Sequence, residues 1–148
     1  MHVADEKDFA GRAQVFPFNW ITGGISVYSG KYGSTEADKT RAGAEIAILF
    51  CGVSLKSEYL SGKDGSVEKY GWYVQSGYKF LSSLETVLKY DSYDPDNNTQ
   101  GDRSDIITLG ENWFIGKNAK IQINYEWKKE EVIPTDNNDL IAQFQIQF

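Results

Sequence analysis

The sequence has one cysteine, Cys51, and one histidine, His2. No disulfide can form within the chain, and a zinc centre of the usual Cys/His type lacks its donors. A Ser-His-Asp triad would have to recruit residue 2, so that chemistry is not expected either. Long apolar runs are also missing. The longest extends from Ile46 to Val53 and is interrupted by Gly52, whereas a membrane-crossing helix needs ~20 apolar residues. The opening MHVADEKDF is charged and has no apolar centre of the signal-peptide kind. Cations are the minority charge, 15 Lys and Arg against 21 Asp and Glu for a net charge of −6. That balance argues against nucleic acid as a partner, because phosphate binding needs a basic face. The glycines Gly23-Gly24, Gly71 and Gly77 precede no helical pattern, so they are read as strand glycines rather than phosphate cradles. No cofactor is expected.

Aromatic residues are plentiful, at 14%, and they favour both strands and membrane interfaces. The segment Lys120 to Lys128 alternates without error. Ile121, Ile123, Tyr125 and Trp127 fall on one face, opposite Gln122, Asn124 and Glu126. A period of two is the signature of a strand. The ending repeats it, with Leu140, Ala142, Phe144, Ile146 and Phe148 opposite Gln143, Gln145 and Gln147. Noisier alternation predicts further strands over 9–18, 22–30, 42–50, 53–59, 70–80, 84–91 and 105–115. Nine strands and no helix result, in a chain whose 148 residues suit one domain.

The predicted connections alternate. Those at 19–22, 51–52, 81–83 and 116–119 are short; those at 31–41, 61–69, 93–104 and 130–138 are long. Tight turns on one rim and loops on the other describe an up-and-down barrel in a membrane. The mean hydropathy of −0.46 does not exclude such a barrel, since only alternate residues face lipid. With the chain end in the periplasm, the loops are extracellular. Tyr70, Trp72, Tyr90 and Trp127 then fall near loop ends, and Phe50, Tyr78, Phe80, Trp113 and Phe148 near turn ends. Two aromatic belts are what two lipid interfaces require.

The strings GRAQVFPF, GWYVQSGYKF, KYDSYDPD and KIQINYEW…LIAQFQIQF resemble the C-terminal part of the phosphate-selective porins of Gram-negative outer membranes. The resemblance implies an antiparallel transmembrane β-barrel, a passive channel for small anions or polar solutes, and no enzymatic activity. It also implies a homotrimer, contact with outer-membrane lipid and lipopolysaccharide, and assembly by the barrel-assembly machinery. Terminal Phe148 is similar to the recognition signal read by that machinery. Porin-class barrels have about 16–18 strands, so residues 1–148 are expected to form either one β-barrel domain or the C-terminal half of a larger one.

The candidate pore-lining residues are Arg12, Lys56, Glu58, Lys79, Lys89, Asp91, Lys120 and Lys128. A water-filled pore selects ions through such charges; the plainer expectation is that most of them are paired on the wall. Lys56, Lys79 and Lys89, at inward phase on successive strands, are expected to climb the wall as a cationic ladder. Asp94-Pro-Asp96-Asn-Asn98 resembles the start of a calcium loop, but Thr99 stands where Gly is required. A turn-rich solvated loop is expected there instead. Glu111 falls on the face assigned to lipid, which calls for either a bulge at Gly110 or a partner on another subunit. Two competing classes are a soluble ligand-binding barrel, with its apolar face inward, and a small outer-membrane barrel that is not a channel.

Overall fold

The computed structural model describes residues 7–32, 37–131 and 137–147. It comprises nine strands: β1 (Phe9–Phe18), β2 (Ile21–Tyr32), β3 (Ala37–Phe50), β4 (Val53–Asp64), β5 (Val67–Leu81), β6 (Leu84–Asp94), β7 (Ser104–Ile115), β8 (Ala119–Glu130) and β9 (Asp139–Ile146). They form a single sheet in sequence order, each antiparallel to the next. Sequence-neighbour pairing is what tight hairpin turns produce. Among the described residues β1 pairs only with β2 and β9 only with β8, so the sheet is open at both edges.

The register sorts every side chain onto one of two faces, because directly opposed residues share a side. One hydrogen-bonded row runs Ile48, Leu55, Ser76, Leu88, Leu109, Tyr125, Leu140 across β3 to β9. The adjacent row runs Ala47, Lys56, Gln75, Lys89, Thr108, Glu126, Asp139. The first face is largely apolar and the second largely polar. No hydrophobic residue is buried among the described residues, while Ile25, Leu88, Ile107, Trp113, Ile123 and Phe144 are all exposed. A sheet with no apolar core and a broad, largely apolar exposed face could not stay dispersed in water. Lipid is the solvent that suits that face, and it rules out an arrangement with the apolar side chains inside.

Aromatic pairs mark the two rims of this face. Near the loop end, Trp72 lies 5.3 Å from Tyr90, Tyr125 makes an edge contact with Trp127 at 4.6 Å, and Tyr59 stacks on Tyr70. Near the turn end, Trp20 stacks on Phe18 at 5.3 Å and meets Phe50 at 5.8 Å.

Several expectations about boundaries are corrected. The strands are longer than alternation suggested, and β3 begins at Ala37 rather than Ala42. The connection expected over 61–69 is not a long loop: β4 and β5 continue to Asp64 and Val67, leaving the two-residue turn Gly65-Ser66. Polar residues carry these extensions. Arg41 donates to Asp64 at 2.6 Å, and Lys69 reaches the other carboxylate oxygen of Asp64 at 2.7 Å. Charged side chains break a hydrophobic pattern without breaking a β ladder. A bulge at Gly110 is also absent, since β7 keeps continuous register with β6 and β8. Glu111 therefore does lie on the apolar face, where it accepts a 2.6 Å hydrogen bond from the Thr86 hydroxyl of the neighbouring strand. Phe148 lies outside the described residues.

The turn between β3 and β4 is the most demanding in backbone terms. Cys51 and Gly52 have φ of 50° and 78°, the pattern of a type I′ hairpin turn, which suits the right-handed twist of the flanking strands. Gly52→Ala should destabilise the folded protein by about 1–2 kcal/mol, because a side chain is forced into the left-handed region. Cys51→Asn should be neutral or stabilising, since Asn tolerates that region. Urea unfolding in lipid bilayers, followed by tryptophan fluorescence, checks both.

Candidate pore-lining face

All eight residues expected to line a pore lie on the polar face. They occupy inward phase on β1 (Arg12), β4 (Lys56, Glu58), β5 (Lys79), β6 (Lys89, Asp91) and β8 (Lys120, Lys128). Register puts Lys56 and Lys89 in one row, on either side of Gln75. Lys79 lies four residues further along β5, toward the turns.

The charges divide into two groups. Toward the loops, cations have carboxylate partners. The Arg12 guanidinium pairs with Glu45, two strands away, and Gln14 donates to the same carboxylate oxygen at 3.1 Å. This reach across β2 is possible because Gly24 lies beneath: a Cβ there would collide with the Glu45 carboxylate. Lys89 pairs with Asp91 at 2.6 Å and lies 4.7 Å from the Tyr73 ring centre. Lys128 pairs with Asp139. Arg41, Asp64 and Lys69 form a three-membered cluster beyond them. That cluster was hidden in the sequence because its members fall in segments that read as loops.

Toward the turns the pattern changes. Among the described residues, Lys56, Lys79 and Lys120 have no carboxylate within salt-bridge distance. Lys79 sits 4.4 Å from the Phe114 ring centre, a cation–π contact that leaves its charge uncompensated. Lys120 donates to the Gln122 side chain at 3.2 Å, and Gln122 in turn donates to Asn124. Glu85, which lines the same cavity as Lys56 and Lys120, accepts a 2.9 Å hydrogen bond from the Asn112 amide rather than from a lysine. Lys56 and Lys120 line a common cavity of about 520 Å³, with Trp20, Leu49, Glu85 and Val87. The expected ladder of Lys56, Lys79 and Lys89 thus becomes a different set: Lys89 is held by Asp91, and Lys120 takes its place among the unpaired cations.

The loop over 95–103 has the local hydrogen bonding of Asx turns. Asp94 accepts from the Asp96 N–H, and Asp96 accepts from the Asn98 N–H at 3.1 Å and from the Thr99 hydroxyl at 3.0 Å. The Asn98 N–H, followed by the Thr99 hydroxyl, holds the Asp96 carboxyl below its ordinary value. These carboxylates fold the loop onto itself, as turn-forming residues do.

With the apolar outer face and the charged inner face described, the comparison with known families is decisive. The family model for phosphate-selective porin O and P matches residues 26–148. The chain belongs to that family. It is therefore an outer-membrane porin of the Gram-negative type, a channel family rather than an enzyme family. The likeness seen in GRAQVFPF, residues 11–18, precedes the matched span. No curated protein and no solved structure matches the chain.

Neutralisation of Lys89 by Asp91 gives a signed prediction. Asp91→Asn leaves Lys89 with only the Tyr73 ring, so the channel in planar bilayers should become more anion-selective. An unchanged reversal potential under a potassium chloride gradient would show that this pair does not face the conducting path.

Proposed function

We propose that the protein is a passive diffusion channel that admits small anions ahead of cations. The observation that carries this reading is the unequal pairing of charge along the inner face. At the turn end, Lys56, Lys79 and Lys120 make no ion pair among the described residues, and Glu85 is engaged by Asn112. The loop-side cations are matched by acids. Among the described residues Glu58 and Glu126 make no ion pair, yet each stands near a cation, Arg12 and Lys128 respectively. Short turns lie on the periplasmic side in such barrels, so the cationic section would form the periplasmic part of the path.

The physics of passage follows from those side chains. A mobile ammonium replaces part of an anion's water shell, and its long stem lets it follow the ion. Conduction needs binding strong enough to draw an ion in and weak enough to release it. Separate single lysines meet that need better than a closed cluster. Phosphate is one anion of the right kind, and the family name supports it.

The sheet alone does not complete such a path. Unpaired strand edges are not tolerated in hydrocarbon, and β1 and β9 run in the same direction, so joining them would make a parallel seam. We propose that these nine strands are one part of the wall of a larger barrel, and an odd number of further strands would keep it antiparallel throughout. Trimer formation, lipopolysaccharide contact and recognition of Phe148 by the barrel-assembly machinery belong to this same reading.

The test is ion selectivity. Replacing Lys56 and Lys120 together by Gln should lower the chloride-to-potassium permeability ratio by about twofold or more, since they supply most of the local uncompensated charge. A ratio unchanged from the wild-type channel would make these lysines plain wall and remove the basis for anion preference.

A further inference from the structure

The inner face is mostly polar, with single apolar residues such as Leu60, Ile106 and Ile141 among its charges, and the cavity that holds Lys56 and Lys120 brings two such residues together. Leu49 and Val87 line it together with the two lysines and Glu85. Leu49 is 65% exposed, although it stands at inward phase between Ala47 and the β3–β4 turn. A wall that served only hydrated inorganic ions would gain nothing from hydrocarbon at this level. Water against such a strip is released when an apolar body covers it, which favours binding.

Charge narrows the class of that body. Lys56 and Lys120 supply two positive charges to the cavity, and Glu85 supplies one negative charge. The excess is a single positive charge, which one monovalent anion balances. A divalent anion would overcompensate it and would stand close to the Glu85 carboxylate. Size agrees as well, because about 520 Å³ falls within the range of about 300–1,000 Å³ typical of small-molecule sites. That is far more room than a bare tetrahedral ion occupies.

We propose that this cavity is a binding subsite for a monovalent organic anion, a carboxylate carried on an apolar body. The carboxylate lies between the Lys56 and Lys120 ammonium groups, and the hydrocarbon covers Leu49 and Val87. Glu85, held by Asn112 at 2.9 Å, disfavours a second negative charge. This subsite rests on the anion-channel reading given above and deepens it by naming a solute class.

The experiment measures block of chloride conductance in the full-length channel in planar bilayers at pH 8. Benzoate is the organic probe, and inorganic phosphate, largely divalent at that pH, is the comparison. Half-maximal block by benzoate should need about tenfold less solute than block by phosphate, the scale set by partly burying one ring. In the double variant Leu49→Asn, Val87→Thr, the benzoate advantage over phosphate should disappear. In Lys56→Gln, Lys120→Gln, block by both solutes should weaken. A wild-type channel that prefers anions but is blocked no better by benzoate than by phosphate overturns the subsite and leaves the channel reading standing. Persistence of the benzoate advantage in the apolar double variant also overturns it. A wild-type channel without anion preference overturns both.

Discussion

A backbone inside hydrocarbon must satisfy every N–H and C=O from within the protein, and the rest of this structure depends on that requirement. It explains why each strand pairs along nearly its whole length with its neighbour, why continuous register is kept at Gly110, and why tight turns join neighbours. It also makes side-chain alternation unavoidable, since each strand has one face in lipid and one in water. The absence of any buried apolar side chain among the described residues would be fatal for a soluble sheet. Here it is the natural outcome, because lipid takes the place of a core.

On the water side the same geometry puts charges close together, and most of them pair along the wall. Arg12 reaches over Gly24 to Glu45, Lys89 meets Asp91, and Lys128 meets Asp139. Such partly exposed pairs contribute little stability individually. Their effect is rather to cancel charge where they occur. What remains uncancelled then determines the field inside, and it is concentrated where β4, β5 and β8 approach the turns.

Strand number, strand direction and facial assignment were all legible in the sequence, most plainly in 120–128, where alternation has no error. The ends of the strands were not. The stretches 37–41 and 60–69 are rich in Lys, Arg, Asp and Gly, so periodicity fades there although hydrogen bonding continues. The identities of the inward charges were also legible, but their partners were not. Whether Lys89 is free depends on a contact to Asp91 two residues away on the same face. Whether Glu45 is available to Arg12 depends on Gly24, which lies under the contact on the intervening strand. The apolar strip of Leu49 and Val87 read as imperfect alternation, and only the curvature that brings it beside Lys56 and Lys120 gives it meaning.

The central claim is that the apolar face meets lipid and the charged face meets water. It is tested most directly by cysteine scanning of β8 in the membrane-inserted protein, with a water-soluble thiol reagent. Native Cys51 is exposed and is first replaced by Asn, a residue that tolerates its positive φ. Gln122→Cys and Asn124→Cys should then be labelled from water, and Ile121→Cys and Ile123→Cys should be protected by lipid. Labelling at 121 and 123 with protection at 122 and 124 would invert the faces and contradict the account.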